Sequence, residues 1–325
     1  MTTASVTIHE SQFPENVRRD LLASLRTRRA NPKFLYDSRK QTQKWLVLHE
    51  AHSPARTDAD CLATYDRAFR ATVKNLSTAR VHVVGLGCGG GQKDVRLLEL
   101  LRQPGRQLFY TPSDVSVAMV LVARQAALKI LPAQNCFPFV CDLATAGDLP
   151  AILAANQKPR AARLLTFFGL IPNFEPEEIL PKLAALVRPT DWLLFGANLA
   201  PGADYAAGVA RILPQYDNAL TRDWLLAFLD DLGLARGDGA LRFTVEGNAA
   251  GLRRVTARFH FSRRRRVTMD AEEFHYAAGD SLRLFFSYRY TPALVKSALA
   301  RHGLQIQAQW ITRSEEEGVF LCRRR

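Results

Sequence analysis

Val81-His-Val-Val-Gly-Leu-Gly-Cys-Gly-Gly-Gly91, followed by Gln92-Lys-Asp-Val-Arg-Leu-Leu-Glu99, is the stretch on which the fold turns. Val81, Val83 and Val84 are β-branched and read as a short buried strand. Gly87, Gly89, Gly90 and Gly91 then remove side chains where that strand must turn. Apolar residues at Val95, Leu98 and Leu101 have helical spacing, so the loop opens onto a helix. Glycine permits positive φ and lets a ligand lie against the backbone. The helix start behind it offers unpaired N–H groups and a partial positive charge. Strand, glycine loop and helix therefore make a nucleotide-cofactor cradle, although tight βα turns are also glycine-rich for packing alone.

The residues that follow choose the cofactor. Lys93 stands at the loop–helix junction, but the spacing is not that of a P-loop, and Asp94 occupies the place of the magnesium-binding Ser or Thr. The next strand, Gln107-Leu-Phe-Tyr-Thr-Pro112, ends at Ser113-Asp114, where a carboxylate is placed to accept from a ribose diol. Phe137-Pro-Phe-Val-Cys-Asp142-Leu143 repeats the pattern at the position of an adenine amino group. Either Asp alone would more often be a helix cap or turn former. A glycine loop and two strand-end acids in this order are the S-adenosylmethionine layout of a class I methyltransferase. Gly87, Gly89, Lys93, Asp114, Asp142 and Leu143 are the expected cofactor residues.

Three runs, Gly87-Cys-Gly-Gly-Gly-Gln-Lys93, Tyr110-Thr-Pro-Ser-Asp114-Val-Ser116 and Phe167-Phe-Gly169-Leu-Ile-Pro-Asn173, resemble those of the histidine-specific methyltransferase family. That family includes the histidine Nα-methyltransferase of ergothioneine biosynthesis. Tyr276-Ala-Ala-Gly279-Asp280 and Ser287-Tyr-Arg-Tyr290-Thr-Pro292 resemble its substrate-domain signatures, and the match runs from about Asn31 to the C-terminus. The resemblance implies an α/β fold with a Rossmann-like seven-stranded sheet and an inserted α+β substrate domain. It also implies that Tyr36, Asn173, Tyr216 and Ser287 meet the substrate, with Ser53 or its neighbour His52 where the family has another tyrosine. Read without it, Tyr36 is half-buried packing and Asn173 caps the helix starting at Pro176. The family's segment Glu-Asn-Ser-Tyr-Lys-Tyr grips histidine's imidazole through its glutamate and serine; here it reads Phe285-Phe286-Ser287-Tyr288-Arg289-Tyr290. Phenylalanine cannot accept from an imidazole N–H, and an unpaired buried N–H costs roughly 1–3 kcal/mol. Phe285 and Phe286 would instead line an apolar or aromatic pocket, for an amino-acid-like or alkaloid-like amine in place of histidine. Arg254-Val-Thr-Ala257 falls around the position of a family methionine.

The composition is ordinary for a globular chain of 325 residues, with 47% hydrophobic and 23% charged residues. Alternating strands and helices are expected from residue 61 to 200, with strands near 81–86, 107–112, 137–141, 163–168 and 192–197. Residues 1–60 read as an arm of the substrate domain, 201–287 as that domain's insertion, and 288–325 as a helix and hairpin completing the sheet. Arg263–Arg266 reads as a charged hairpin tip. Five cysteines show no C-x-x-C spacing, so neither a disulfide framework nor a metal site is assigned. The start lacks signal-peptide order and no apolar run reaches eighteen residues, so a cytoplasmic protein without membrane contact is expected. The net charge of +13 is spread over scattered arginines without interleaved aromatics, which favours a solvated surface over nucleic-acid binding. A small-molecule N-methyltransferase is the reading these features favour; a methyltransferase acting on nucleic acid and a catalytically silent cofactor-binding homologue are the alternatives.

Overall fold

The computed structural model describes residues 3–156, 158–248 and 251–325; Met1 and Thr2, at the head of the stretch read for a signal peptide, lie outside them. Thirteen strands run along the chain: β1 (Thr7–Ile8), β2 (Arg80–Leu86), β3 (Gln107–Asp114), β4 (Phe139–Val140), β5 (Ala162–Phe167), β6 (Trp192–Asn198), β7 (Gly239–Gly247), β8 (Arg253–Phe261), β9 (Arg265–Met269), β10 (Glu272–Tyr276), β11 (Ser281–Arg289), β12 (Leu304–Ile311) and β13 (Glu317–Arg324). Eight form one sheet in the order β1-β4-β3-β2-β5-β6-β13-β12. Its pairs are parallel from β1 to β6, and β13 joins β6 and β12 antiparallel. This is a Rossmann-like α/β sheet with one strand more than the seven expected. Thr7–Ile8 pairs with β4 and closes its open edge, a two-residue element too short to leave a periodic signal.

Strand β2 is central because its side chains are buried on both faces: Val81, Val83 and Val84 are all fully buried. The chain runs from β2 through β3 to β4 on one side and then crosses back from β4 to β5 on the other, so the switch point of the sheet lies at the carboxyl end of β2. That is where open α/β sheets bind ligands. Gly91 begins the helix Gln92–Leu101 with φ of 74°, and a Cβ there would stand 2.8 Å from the Cα of Ala123. Glycine is thus required for two helices to pack against each other behind the loop. Beneath it Asp94, fully buried, accepts hydrogen bonds from Tyr110 (2.8 Å) and Thr166 (2.7 Å). It is a bolt between β3, β5 and the helix, where the sequence had said only that it could not serve a P-loop.

Burial pushes the Asp94 carboxyl up to about 6 from an ordinary 3.8, against the pull of its two hydroxyl donors and Lys93. A carboxyl with a raised folded pKa stabilises the fold below the unfolded pKa and loses that contribution as pH rises through the folded one. Between pH 4 and pH 7 this group should therefore cost the wild type up to about 3 kcal/mol relative to Asp94→Asn. Urea unfolding of the two proteins across that range should show wild type gaining stability relative to Asp94→Asn as the pH falls; a pH-independent difference would refute it.

A second sheet, β11-β8-β7, is antiparallel, and β9 and β10 form a hairpin beside it. Its inner face packs on a separate core that includes Leu25, Phe34 and Leu35 of the N-terminal segment and Trp224, Phe228 and Phe285. The arginine run is not simply a tip, because Arg265 and Arg266 lie within β9. Asp238, almost fully buried, receives Arg263 (2.6 Å) and Arg265 (2.5 Å) and holds the turn. Among the described residues no helix is long and apolar enough to cross a membrane.

Candidate active site

A cleft of about 910 Å³ opens at the carboxyl ends of β2 to β5, between the large sheet and the face of β11. The cofactor residues expected from sequence gather at one end. Cys88 N–H is tied to Ser113 O (2.8 Å), which folds the loop back over β3. Gly87 has φ of 60°, and a Cβ there would collide with Leu170 at 2.2 Å, so this position is closed to a side chain. Asp114 receives Gly89 N–H on one carboxylate oxygen and Ser116 N–H on the other, both at 3.0 Å. Burial raises its pKa, and these backbone donors oppose the shift.

Asp142 gives the test of fit for an adenosyl group. Its Oδ1 accepts from Ala144 N–H (2.9 Å), while Oδ2 is buried and has no hydrogen-bond partner. A buried carboxylate oxygen without a donor is costly, and this one lies on the cleft wall beside Leu143. An adenine amino group would supply the missing donor. Lys33 Nζ, 3.7 Å from the same oxygen, is held by Asp20 at 2.6 Å. Lys93 sits 4.2 Å above the Tyr65 ring, donates to Tyr65 (2.7 Å) and pairs with Glu317 (3.2 Å). Tyr65 also hydrogen-bonds Glu317. Lys93 thus reaches the cleft already neutralised.

The other end of the cleft is aromatic. Tyr36 packs against Trp224 (5.4 Å between centroids) and Trp45 (6.0 Å), and Phe285 against Trp224 (5.7 Å) and Tyr216 (5.9 Å). Trp45 stacks on His49 at 4.5 Å. His49 Nδ1 accepts from Arg56 Nε (3.1 Å), which leaves the ring proton on Nε2. Burial, with Lys93 and Arg56 nearby, pulls His49 down to about 3, so it is a neutral donor and no proton acceptor. Burial, with Asp114 and Tyr216 adding to it, pushes the Tyr36 hydroxyl far above its usual range.

Behind this wall the buried Arg289 donates from Nη2 to Tyr216 OH (2.8 Å), which is 2.7 Å from Ser287 Oγ. Two hydroxyls share two protons, and one is used between them. Arginine can only donate. Among the described residues neither hydroxyl has another partner, so one proton is left to face a ligand.

Asn173 does not cap the following helix: its Nδ2 donates to Phe286 O (2.6 Å), and that helix begins at Pro176 without a side-chain cap. Tyr36, Ser53, Asn173, Tyr216, Phe285 and Ser287 all line the cleft; Phe286 does not. Alternation along β11 sends Phe285 and Ser287 to the cleft and Phe286 to the opposite face. There its ring meets Tyr288 (5.6 Å) and the Arg254 and Arg283 guanidinium groups. The expected role of Phe286 is corrected accordingly. Sequence reading missed Lys33, Trp45, His49, Tyr65, Trp224 and Glu317, none of which sits in a local motif, and it quoted Arg289 within a motif without assigning it a role. No metal-holding group of His, Cys, Asp or Glu is present among the described residues.

A family model described as "Histidine-specific methyltransferase, SAM-dependent" matches residues 17–324. The N-methyltransferase imqF of Aspergillus flavus is 25% identical over 287 residues, 85% of this chain and 74% of that one. The histidine N-alpha-methyltransferase of Mycolicibacterium smegmatis is 25% identical over 323 residues, 95% of each chain. Among solved structures, magnesium protoporphyrin IX methyltransferase (ChlM) from Synechocystis PCC 6803 with bound SAH is similar at a TM-score of 0.46 and 12% identity, over 90% of this chain and 97% of that one.

Proposed function

We propose an acceptor class from the premise that the chain belongs to the histidine-specific, SAM-dependent methyltransferase family. It is an S-adenosylmethionine-dependent methyltransferase of a small molecule, and the acceptor proposed is the amino nitrogen of an amino-acid-like or aromatic amine other than histidine. The observation that carries this is the wall around Phe285. Where the family's imidazole-gripping glutamate stands, a ring lies against Trp224 and Tyr216. The nearby hydroxyl pair leaves one proton to donate and supplies no carboxylate. Such a surface suits a flat apolar side chain, with an acceptor atom at most on its rim. The relative in Aspergillus flavus, an N-methyltransferase by name, is consistent with nitrogen as the nucleophile.

When bound, S-adenosylmethionine supplies a methyl group on a sulfonium. The residues proposed to hold it are the loop at Gly87 and Gly89, Asp114 at the ribose, Asp142 with Leu143 at the adenine, and Lys93 near the loop. The protein's remaining task is to strip water from the amine and aim its lone pair, which is catalysis by positioning. Tyr36, Trp45, Trp224 and Phe285 exclude water and clamp the side chain. Aromatic faces also attract a developing ammonium. Asn173, fixed to the backbone of β11, and Ser287 fix the direction of approach. His49, neutral and already accepting from Arg56, takes no proton.

Titration of candidate amines into protein saturated with S-adenosylhomocysteine tests the acceptor class: aromatic amino acids or amines should bind, and micromolar binding of histidine would refute it. Tyr216→Phe removes the bridge from Arg289 to Ser287. It should raise the acceptor KM about tenfold, the worth of a hydrogen bond to a charged group, and leave S-adenosylhomocysteine affinity unchanged.

A further inference from the structure

The outer face of the three-stranded sheet carries a row of arginines. Arg242 of β7, Arg258 of β8 and Arg283 of β11 are register partners, and Arg29 bridges to Arg283 from the N-terminal segment. Partners in register point to the same face, and neighbouring strands lie about 4.8 Å apart. Like charges placed directly opposite one another destabilise a sheet. Arg254 joins the group: its guanidinium lies 5.1 Å from the Phe286 ring centroid, and that of Arg283 lies 4.7 Å from the same one. Against these five cations stand Glu246, which takes Arg258 (2.9 Å) and Arg254 (3.5 Å), and Glu175, which takes Arg254 (2.8 Å).

Arg283 is the anomaly. It is only 6% exposed, yet among the described residues it has no hydrogen-bond acceptor and no carboxylate within ion-pair distance, and its Nε is buried without a partner. Other deeply buried arginines have acceptors: Arg163 has Asp191 at 2.5 Å, and Arg289, whose Nε is likewise unpaired, has Tyr216 and the Leu199 carbonyl on its terminal nitrogens. Burial first, then Arg254 and Arg29, pull Arg283 down to about 10. Buried charges persist in proteins when something pairs with them.

We propose that Arg283, flanked by Arg29, Arg254 and Arg258, binds a phosphate or phosphomonoester dianion. Planar guanidinium forks match phosphate oxygens two at a time, and a dianion meets the excess of positive charge that the two glutamates leave. The site lies on the reverse of the strand that carries Phe285 and Ser287, so it is separate from the methyl-transfer cleft and independent of the acceptor assigned there.

Inorganic phosphate titrated into the full chain, against chloride at matched ionic strength, tests it by calorimetry and phosphorus NMR line broadening. The expected result is saturable binding of one phosphate, with a Tm rise of about 3 °C at a concentration roughly ten times Kd. Arg283→Met should weaken it about tenfold or more, and Arg283→Lys, which keeps the charge but not the fork, by less. Arg258→Gln, at a half-exposed position, should weaken it too and covers the case in which Arg283→Met fails to fold. Unchanged affinity for S-adenosylhomocysteine certifies each variant. Absence of saturable binding to wild type, or equal binding by the folded Arg283 and Arg258 variants, would overturn the assignment.

Discussion

Asp114→Asn is expected to weaken S-adenosylhomocysteine binding by about 100-fold or more, roughly 3 kcal/mol, with the fold intact. The carboxylate does two things at once. It fixes the glycine loop by accepting Gly89 N–H and Ser116 N–H at 3.0 Å. Its remaining lone pairs would be left for the ribose hydroxyls. An amide cannot do both, because whichever way Asn is turned its NH₂ faces a backbone N–H. One loop bond is lost, a donor is set against a donor, and charge-assisted bonds to the ribose become neutral ones of about half the strength. Calorimetry measures the loss, and the Tm checks the fold. Affinity equal to wild type would mean that Asp114 serves the loop alone.

Phe285→Glu is the second large effect, and it should invert the acceptor preference. Phe285 lies 5.7 Å from Trp224 and 5.9 Å from Tyr216, almost fully buried. Losing a packed aromatic ring costs about 3–5 kcal/mol in a core, and a carboxylate placed there pays desolvation unless a ligand donates to it. Turnover of the aromatic acceptor should fall by about 100-fold or more. Histidine, whose imidazole N–H supplies that donor, should become a substrate where it was none. Competition between the two amines in one labelled reaction reads both changes. A variant that keeps its aromatic preference would show that Phe285 does not set specificity.

Much of the cofactor half was legible in the sequence because its signals are local. Val81 to Glu99 switches from strand to loop to helix within one short run, Asp114 ends β3, and Asp142 stands two residues past β4. The acceptor half was legible only in part. Trp45 and Trp224 come from helices far apart in the chain and meet through Tyr36, a contact no periodicity encodes. Arg289 was quoted as part of a motif, but its reach to Tyr216 depends on the face of β11 it shares with Ser287. Phe286 was misplaced for the same reason: two adjacent phenylalanines read as one apolar block are, in a strand, on opposite faces. Lys33 and Asp142 lie on different elements, and only the folded chain reveals the carboxylate oxygen left without a donor.

On the proposed reading, this cleft joins a methyl group from S-adenosylmethionine to the nitrogen of an aromatic amine. The most direct measurement incubates the purified protein with methyl-labelled S-adenosylmethionine and an equimolar mixture of the amino acids and their decarboxylated amines, then finds the label by mass spectrometry. The expected result is label on the amino nitrogen of an aromatic member, with histidine unlabelled. Label on histidine as the preferred acceptor, or on no amine at all, would contradict it.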